Sequence, residues 1–171
     1  MTTNNLSPEE YNPYYGTYIA KAANLNLKEG LKSNHAITEA FLNAIPKDKL
    51  EYRYAEGKWT VKDIIQHIID TERIFAYRAL RVARNDKTAL PGFEENDYAL
   101  TGNANPRTLE SLLAEYNAVR QATIALFNSF SDDMLKHIGT ASNSPISARA
   151  IGFIIIGHEA HHCNVIKERY L

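Results

Sequence analysis

The chain is expected to fold as an all-α protein, a four-helix bundle, and three observations lead there. Four segments repeat their apolar residues near helical period, no segment alternates as a half-buried strand would, and the connection between the second and third helices is long enough to cross the molecule. With 171 residues, 44% of them hydrophobic and 23% charged, the sequence reads as one domain, 1–171, able to bury about two thirds of its unfolded surface. A formal net charge of -1 argues against nucleic acid or an anionic membrane as the main partner. The longest apolar run, Ile151 to Ile156, is interrupted by Gly152 and falls far short of the ~20 residues of a membrane span. The single cysteine, Cys163, excludes an internal disulfide framework, and the first residues lack the pattern of a signal peptide, so the cytoplasm is the expected location.

Residues 1–24, punctuated by Pro8, Pro13 and Gly16, are expected to form a largely irregular arm that packs onto the body through Tyr11, Tyr14, Tyr15 and Tyr18. The first helix follows from about Leu27 to Ile45, where Pro46 ends the periodicity. Thr60-Val61-Lys62-Asp63 resembles a capping box with Asp in place of Glu, and it opens a second helix that runs to about Arg84. Val61, Ile64, Ile65, Ile68, Ile69 and Phe75 form the apolar face of that helix; Lys62, Gln66, Asp70, Arg73 and Tyr77 oppose it and should face water. His67 falls at the edge of the apolar face. From Asn85 to Arg107 no period is sustained, and connections of that length are usually functional or cross the molecule. Thr108 is placed to cap a third helix ending near Ser129, and Ser131 one further short turn. A Ser/Asn/Pro/Gly-rich connection from Gly139 to Pro145 leads to Ser147, the expected N-cap of a fourth helix from about Ala148 to Tyr170.

Chemistry concentrates in Gly157-His158-Glu159-Ala160-His161-His162, which holds three of the six histidines. On a helical wheel His158 and His162 lie near the middle of the arc made by Ile151, Ile154, Ile155, Val165 and Ile166, with His161 at its edge and Cys163 pointing away. Residues four apart carry Cβ atoms about 6 Å from one another, close enough for two imidazoles to share one ion. Two neighbouring buried imidazoles cannot easily both be protonated and each needs a partner, so the pair reads as metal ligands in preference to core histidines. The same residues also spell H-E-x-x-H, the zinc-peptidase helix whose glutamate is the general base. That reading is the minor one: little chain remains to supply a third ligand, no sheet supports the helix, and Glu159 lies to the side of the apolar arc, where it could as easily face solvent. A third ligand must then come from His35, His67 or His137. His35 and His137 follow polar residues and read as surface positions. His67 stands about 10 Å from the start of its helix, and in an antiparallel fourth helix His158 and His162 stand about 12 to 18 Å from the same end, against about 22 Å for His162 in a parallel one.

Gly57-Lys58-Trp59-Thr60-Val61-Lys62-Asp63, His67-Ile68-Ile69-Asp70-Thr71-Glu72-Arg73, Leu90-Pro91-Gly92-Phe93-Glu94-Glu95-Asn96-Asp97-Tyr98 and the terminal histidine run together resemble the DinB-like superfamily. The resemblance implies an up-down-down-up bundle with the long crossover between its second and third helices, often a homodimer. It also implies a divalent metal held by three histidines that correspond to His67, His158 and His162. Relatives include thiol S-transferases that use low-molecular-weight thiols such as bacillithiol or mycothiol, isomerases and hydrolases.

Three imidazoles leave coordination positions open, as a catalytic ion requires, and zinc or nickel suits them. Tyr52, Tyr54, Trp59, Asp97 and Tyr98 are expected at the rim, where the aromatics seal the core or line a pocket. Glu72, Arg73 and Arg78 are expected in surface ion pairs, with Arg78 alternatively a clamp for an anionic group; His161 either supports a ligand or is exposed, and Cys163 is a small buried residue. The expected function is a metal-dependent thiol transferase or hydrolase acting on a small molecule. The rival expectation is a non-catalytic, metal-binding dimeric bundle.

Overall fold

The computed structural model describes residues 1–171. Four long helices form the bundle: α2 (Leu27–Asn43), α3 (Val61–Ala83), α5 (Leu109–Asn128) and α7 (Ala148–Arg169). Shorter helices α1 (Gly16–Lys21), α4 (Glu95–Thr101) and α6 (Asp132–Lys136) and a hairpin of β1 (Ile138–Ala141) with β2 (Ser144–Ser147) complete it. The expected starts of α3, α5, α6 and α7 are all capped by side chains: Thr60, Thr108, Ser131 and Ser147 each accept from the backbone three residues on. The box at α3 is reciprocal, with Asp63 Oδ2 accepting from Thr60 N at 2.9 Å. Each such cap contributes about 1 kcal/mol.

Contact registers give the directions of the helices. Leu27, Gly30, Thr38 and Phe41 of α2 meet Gly152, Ile156, Cys163 and Lys167 of α7 in rising order, so the two are parallel. Along α3 the order falls against α7: Trp59 contacts Tyr170, His67 contacts His162 and His158, and Phe75 shares a small cavity with Ile154. Helix α5 follows α3 in rising order, Gln66 with Arg107 and Arg73 with Glu115. It falls against α2, with Lys28 reaching Phe130 and His35 reaching Asn117. The topology is therefore up-down-down-up, and the crossover between α3 and α5 makes it so. No helix is long and apolar enough to cross a membrane.

The arm is more regular than expected, with three 3-10 turns and α1. Its anchors are the tyrosines and an ion pair of Glu10 with Arg149, where Arg149 Nε donates at 2.7 Å. The connection expected to lack strands is a hairpin. Its turn, Ser142-Asn143, takes φ of 50° and 59°, the left-handed pair of a two-residue turn that matches strand twist. Leu90 of the crossover bonds to it through Thr140 O at 2.9 Å and Ser142 N at 3.0 Å. The polar side of α3 is not all solvated, because the end of the crossover covers its first turns. Lys62 Nζ donates to Asn105 O at 2.8 Å and to Glu51 at 2.7 Å, and Arg107 donates to Gln66 at 2.6 Å.

Two hydrophobic clusters fill the bundle, one around α1, the hairpin and the first half of α7, the other around the first half of α3, α5 and the end of α7. His67 and His158 are among the buried polar side chains of the bundle.

Candidate metal centre

His67 on α3 and His158 and His162 on α7 converge on one point. Nε2 of His158 stands 3.0 Å from Nε2 of His67 and 3.1 Å from Nε2 of His162, and one donor atom from each residue lies within 4.8 Å of the others. Two nitrogens bound at about 2.05 Å to one ion stand about 3.3 Å apart at a tetrahedral angle, so the two pairs that include His158 fit a divalent ion, and the remaining pair would have to draw closer than the 4.8 Å that bounds the set. The chemistry of the donor set fits as well. Burial lowers all three imidazole pKa values, His67 to about 4, and His161 lowers all three further, with His67 adding to the effect on His158 and His162 and His162 to that on His158, so the ring nitrogens are neutral near pH 7 and their lone pairs are free. His67 Nδ1 stands 3.5 Å from Thr71 Oγ1, at the outer limit of a hydrogen bond.

The triad is enclosed by aromatic rings. Trp59 lies against His67 with centroids 4.8 Å apart, and Tyr18 of α1 meets both His158 and His161 edge-on at 5.4 Å. Gly157 explains how the arm comes so close: a Cβ there would lie 1.8 Å from Tyr18 O. The glycine that precedes His158 is thus a seat for the arm's backbone. Tyr18 was foreseeable only as one of several arm tyrosines, and its place over the site depends on that seat.

Two clefts reach the triad, with no lining residue in common. One, about 250 Å³, is lined by Trp59, Tyr54, His161 and His162; the other, about 260 Å³, by His67, His158, Tyr15, Tyr18, Arg78 and Phe93. A larger groove of about 480 Å³ between the Trp59 loop and α4 includes no histidine, so donors and volume point to different places and the donors decide.

Other expected residues are placed differently. Tyr98 packs on Phe93 at 5.2 Å, is 44% exposed, and lines neither cleft. Tyr52 and Tyr54 pack against Tyr170, at 6.1 and 5.1 Å. His161 stays outside the donor set, half-buried against Tyr18 and His162. His35 and His137 are bonded elsewhere, to Asn117 and to Ala83 O. Cys163 is buried against Thr38, and burial pushes its thiol up to about 11. Arg73 is in a half-exposed pair with Glu115, as expected, but Glu72 and Arg78 are buried, so neither belongs to a surface ion pair.

The largest correction concerns Glu159, which faces neither solvent nor the histidine centre. It is 1% exposed and turned into the α2–α5 side, where Arg120 donates to its two oxygens at 3.0 and 2.8 Å, Tyr116 Oη donates at 2.5 Å, and Asn34 Nδ2 donates as well. Arg120 also forks onto Glu72 at 2.8 and 2.7 Å. A carboxylate with both oxygens occupied cannot serve as the base of an H-E-x-x-H peptidase, so the motif is a coincidence of spacing. Arg120 and Tyr116 were missed as polar partners. Their signal was an arginine in register with Leu112, Tyr116, Thr123 and Phe127 on the buried face of α5.

These features define a class, a four-helix bundle with a three-histidine centre suited to a divalent metal. The chain belongs to the DinB superfamily, whose sequence profile matches residues 31–166. A protein of Oceanobacillus iheyensis described as a "putative metal-dependent hydrolase" is 23% identical over 128 residues, 74% of this chain and 73% of its own length. Another of the same description from Geobacillus thermodenitrificans is 28% identical over 104 residues, and the match spans 58% of each. Among solved structures, YfiT of Bacillus subtilis, described as "a probable metal-dependent hydrolase with an unusual four-helix bundle topology", superposes with a TM-score of 0.74 at 16% identity, covering 95% of this chain and 89% of that one. The DinB-like protein YjoA of Bacillus subtilis gives 0.58 at 17% identity, over 82% and 86%. Both structural likenesses concern the fold.

Proposed function

We propose that the chain is a metal-dependent enzyme that hydrolyses a small-molecule substrate at an ion held by His67, His158 and His162. The observation that carries this is the convergence of three neutral imidazoles, two buried and one half-buried, on a point that two clefts reach. A divalent ion there, zinc or nickel by ligand type, supplies an acidified water or a deprotonated thiol. The protein's own part is to hold three donors rigidly on two helices, to keep them neutral by burial, and to exclude bulk water with Trp59 and Tyr18.

A second reading is transfer of a low-molecular-weight thiol, and the two clefts favour it. Hydrolysis needs one organic substrate, whereas transfer needs two, and each cleft could admit one. Metal analysis of protein purified without chelator or histidine tag tests the shared premise: about one equivalent is expected, falling below about a tenth after His67→Ala or His158→Ala. Wild-type protein with less than a tenth would overturn it. Metal-loaded protein is then assayed on a panel of small esters and amides and, separately, on thiols with a halogenated aromatic. Turnover of either kind should vanish in His158→Ala; turnover indifferent to that change rules out the assignment.

A further inference from the structure

Arg78 lies three helical turns beyond His67 on nearly the same face of α3, since eleven residues rotate the helix by about three full turns. It is 2% exposed, yet no carboxylate stands within ion-pairing distance of it. Its guanidinium donates through Nη2 to Pro91 O at 2.7 Å and to Ser142 Oγ at 3.2 Å, with the Tyr15 hydroxyl alongside. The rings of Phe75 and Phe93 lie 5.1 and 5.9 Å from it. A guanidinium carries five N–H donors, and protein acceptors take up fewer than that here. It lines the same 260 Å³ cleft as His67 and His158.

Buried cations are normally paired, because an unpaired charge out of water is costly. Two acidic residues, Glu94 and Glu95, line this cleft as well, and neither pairs with Arg78. Resting on the small-molecule reading above, we propose that the cleft binds a substrate bearing a single carboxylate, which forks onto Arg78 while the rest of the molecule extends past Tyr15 and Tyr18 to the histidine centre. The guanidinium turns back toward Phe75, eight residues from His67, so the carboxylate and the reacting bond stand on the order of 10 Å apart. A volume of about 260 Å³ equals some eight or nine waters at ~30 Å³ each, which selects a small molecule over a polymer. Glu94 and Glu95 repel any anion, a doubly charged phosphate ester about twice as strongly as a carboxylate, so between the two they favour the monoanion that Arg78 can hold.

The test is calorimetric titration of the metal-loaded full chain with 4-phenylbutyrate, its neutral amide and 2-phenylethyl phosphate. The carboxylate should bind at least about tenfold more tightly than the other two. Arg78→Ala should weaken it about 10- to 100-fold, and Arg78→Lys, which keeps the charge without the fork, about 3- to 10-fold. Because Arg78→Ala removes a buried side chain and could unfold the region, Arg78→Lys and Tyr15→Phe carry the test independently. Titration of metal-stripped chain separates this from direct ligation: binding that disappears with the metal and ignores Arg78 overturns the proposal. So does equal binding of the amide, or phosphate binding as tight as the carboxylate. Arg78-dependent binding without turnover would keep the subsite and remove the enzyme reading; turnover with Arg78-independent binding would do the reverse.

Discussion

Two arginines are buried almost completely in this bundle, and their surroundings are opposite. Arg120, 0% exposed on α5, is clasped by Glu72 and Glu159 through four hydrogen bonds. Arg78, 2% exposed on α3, has a carbonyl, a hydroxyl and two aromatic rings, and no carboxylate. The two carboxylates hold Arg120 firmly cationic against its burial, whereas burial is the main influence on Arg78 and lowers its pKa. Arg120 completes its own site inside the protein. The charge of Arg78 is left for something that enters.

The histidine centre adjoins both regions: Glu159 follows His158 on α7, and Arg78 shares a cleft with His67 and His158. On one side, two carboxylates and one guanidinium bonded to one another carry a net negative charge, an arrangement that favours a divalent cation at the neighbouring ligands; on the other, the cleft has the same count of charges, but its guanidinium, Arg78, is paired with neither Glu94 nor Glu95. Removing Arg120 should therefore have the largest effect on folding. Arg120→Ala leaves two carboxylates facing each other without a cation, and a loss of about 3 to 5 kcal/mol in urea unfolding is expected. A loss under about 1 kcal/mol would show that the network relaxes to water and would dissolve the contrast between the two arginines.

The next effect in size is at the seat of the arm. Gly157→Ala places a methyl where Tyr18 backbone now lies, so α1 must lift off α7 and Tyr18 must leave His158. A destabilisation of about 1 to 3 kcal/mol is expected, with faster proteolysis within residues 1–24. Unchanged stability with an intact arm would remove α1 from the account of the site.

Acid should act on the histidine centre itself. In metal-free protein the three imidazoles titrate below their ordinary value, His67 at about 4, while in the unfolded chain they titrate near 6.5. Between those values the unfolded state binds more protons than the folded one, so stability is full above about pH 6.5 and falls as pH drops toward 4, by about 1.4 kcal/mol per pH unit for each histidine involved. His67→Gln should flatten that slope by about one proton. An unaltered slope would place the acid sensitivity elsewhere, in the Glu159 network for example.

How much of this could be read from the sequence differs by residue type. Helix ends were legible because Thr60, Thr108 and Ser147 announce themselves locally, and the triad was legible because His158 and His162 share a face and His67 matches their level. The hairpin escaped because its signal was only Ser142-Asn143, in strands too short to show alternation. Burial of charge was the least legible. Glu72 and Glu159 sit beside apolar residues on their own helices, and nothing local says that Arg120, tens of residues from both, will reach them. Lys62 and Gln66 were assigned to water because only tertiary structure brings Asn105 and Arg107 over them.

The smallest expected effect is the sharpest test of the comparison. If Arg78 is held for an incoming anion, its burial without a counter-ion opposes folding, and an apolar replacement of similar length should relieve that cost. Arg78→Met keeps the stem packed against Phe75 and Phe93 while giving up the bonds to Pro91 and Ser142. Those losses, about 1 kcal/mol each, work against the gain from no longer burying a charge, and the variant should unfold within about 1 kcal/mol of the parent. A loss as large as that expected for Arg120→Ala would mean that Arg78 is a strut between the crossover and the hairpin, and its unpaired charge would then say nothing about ligands.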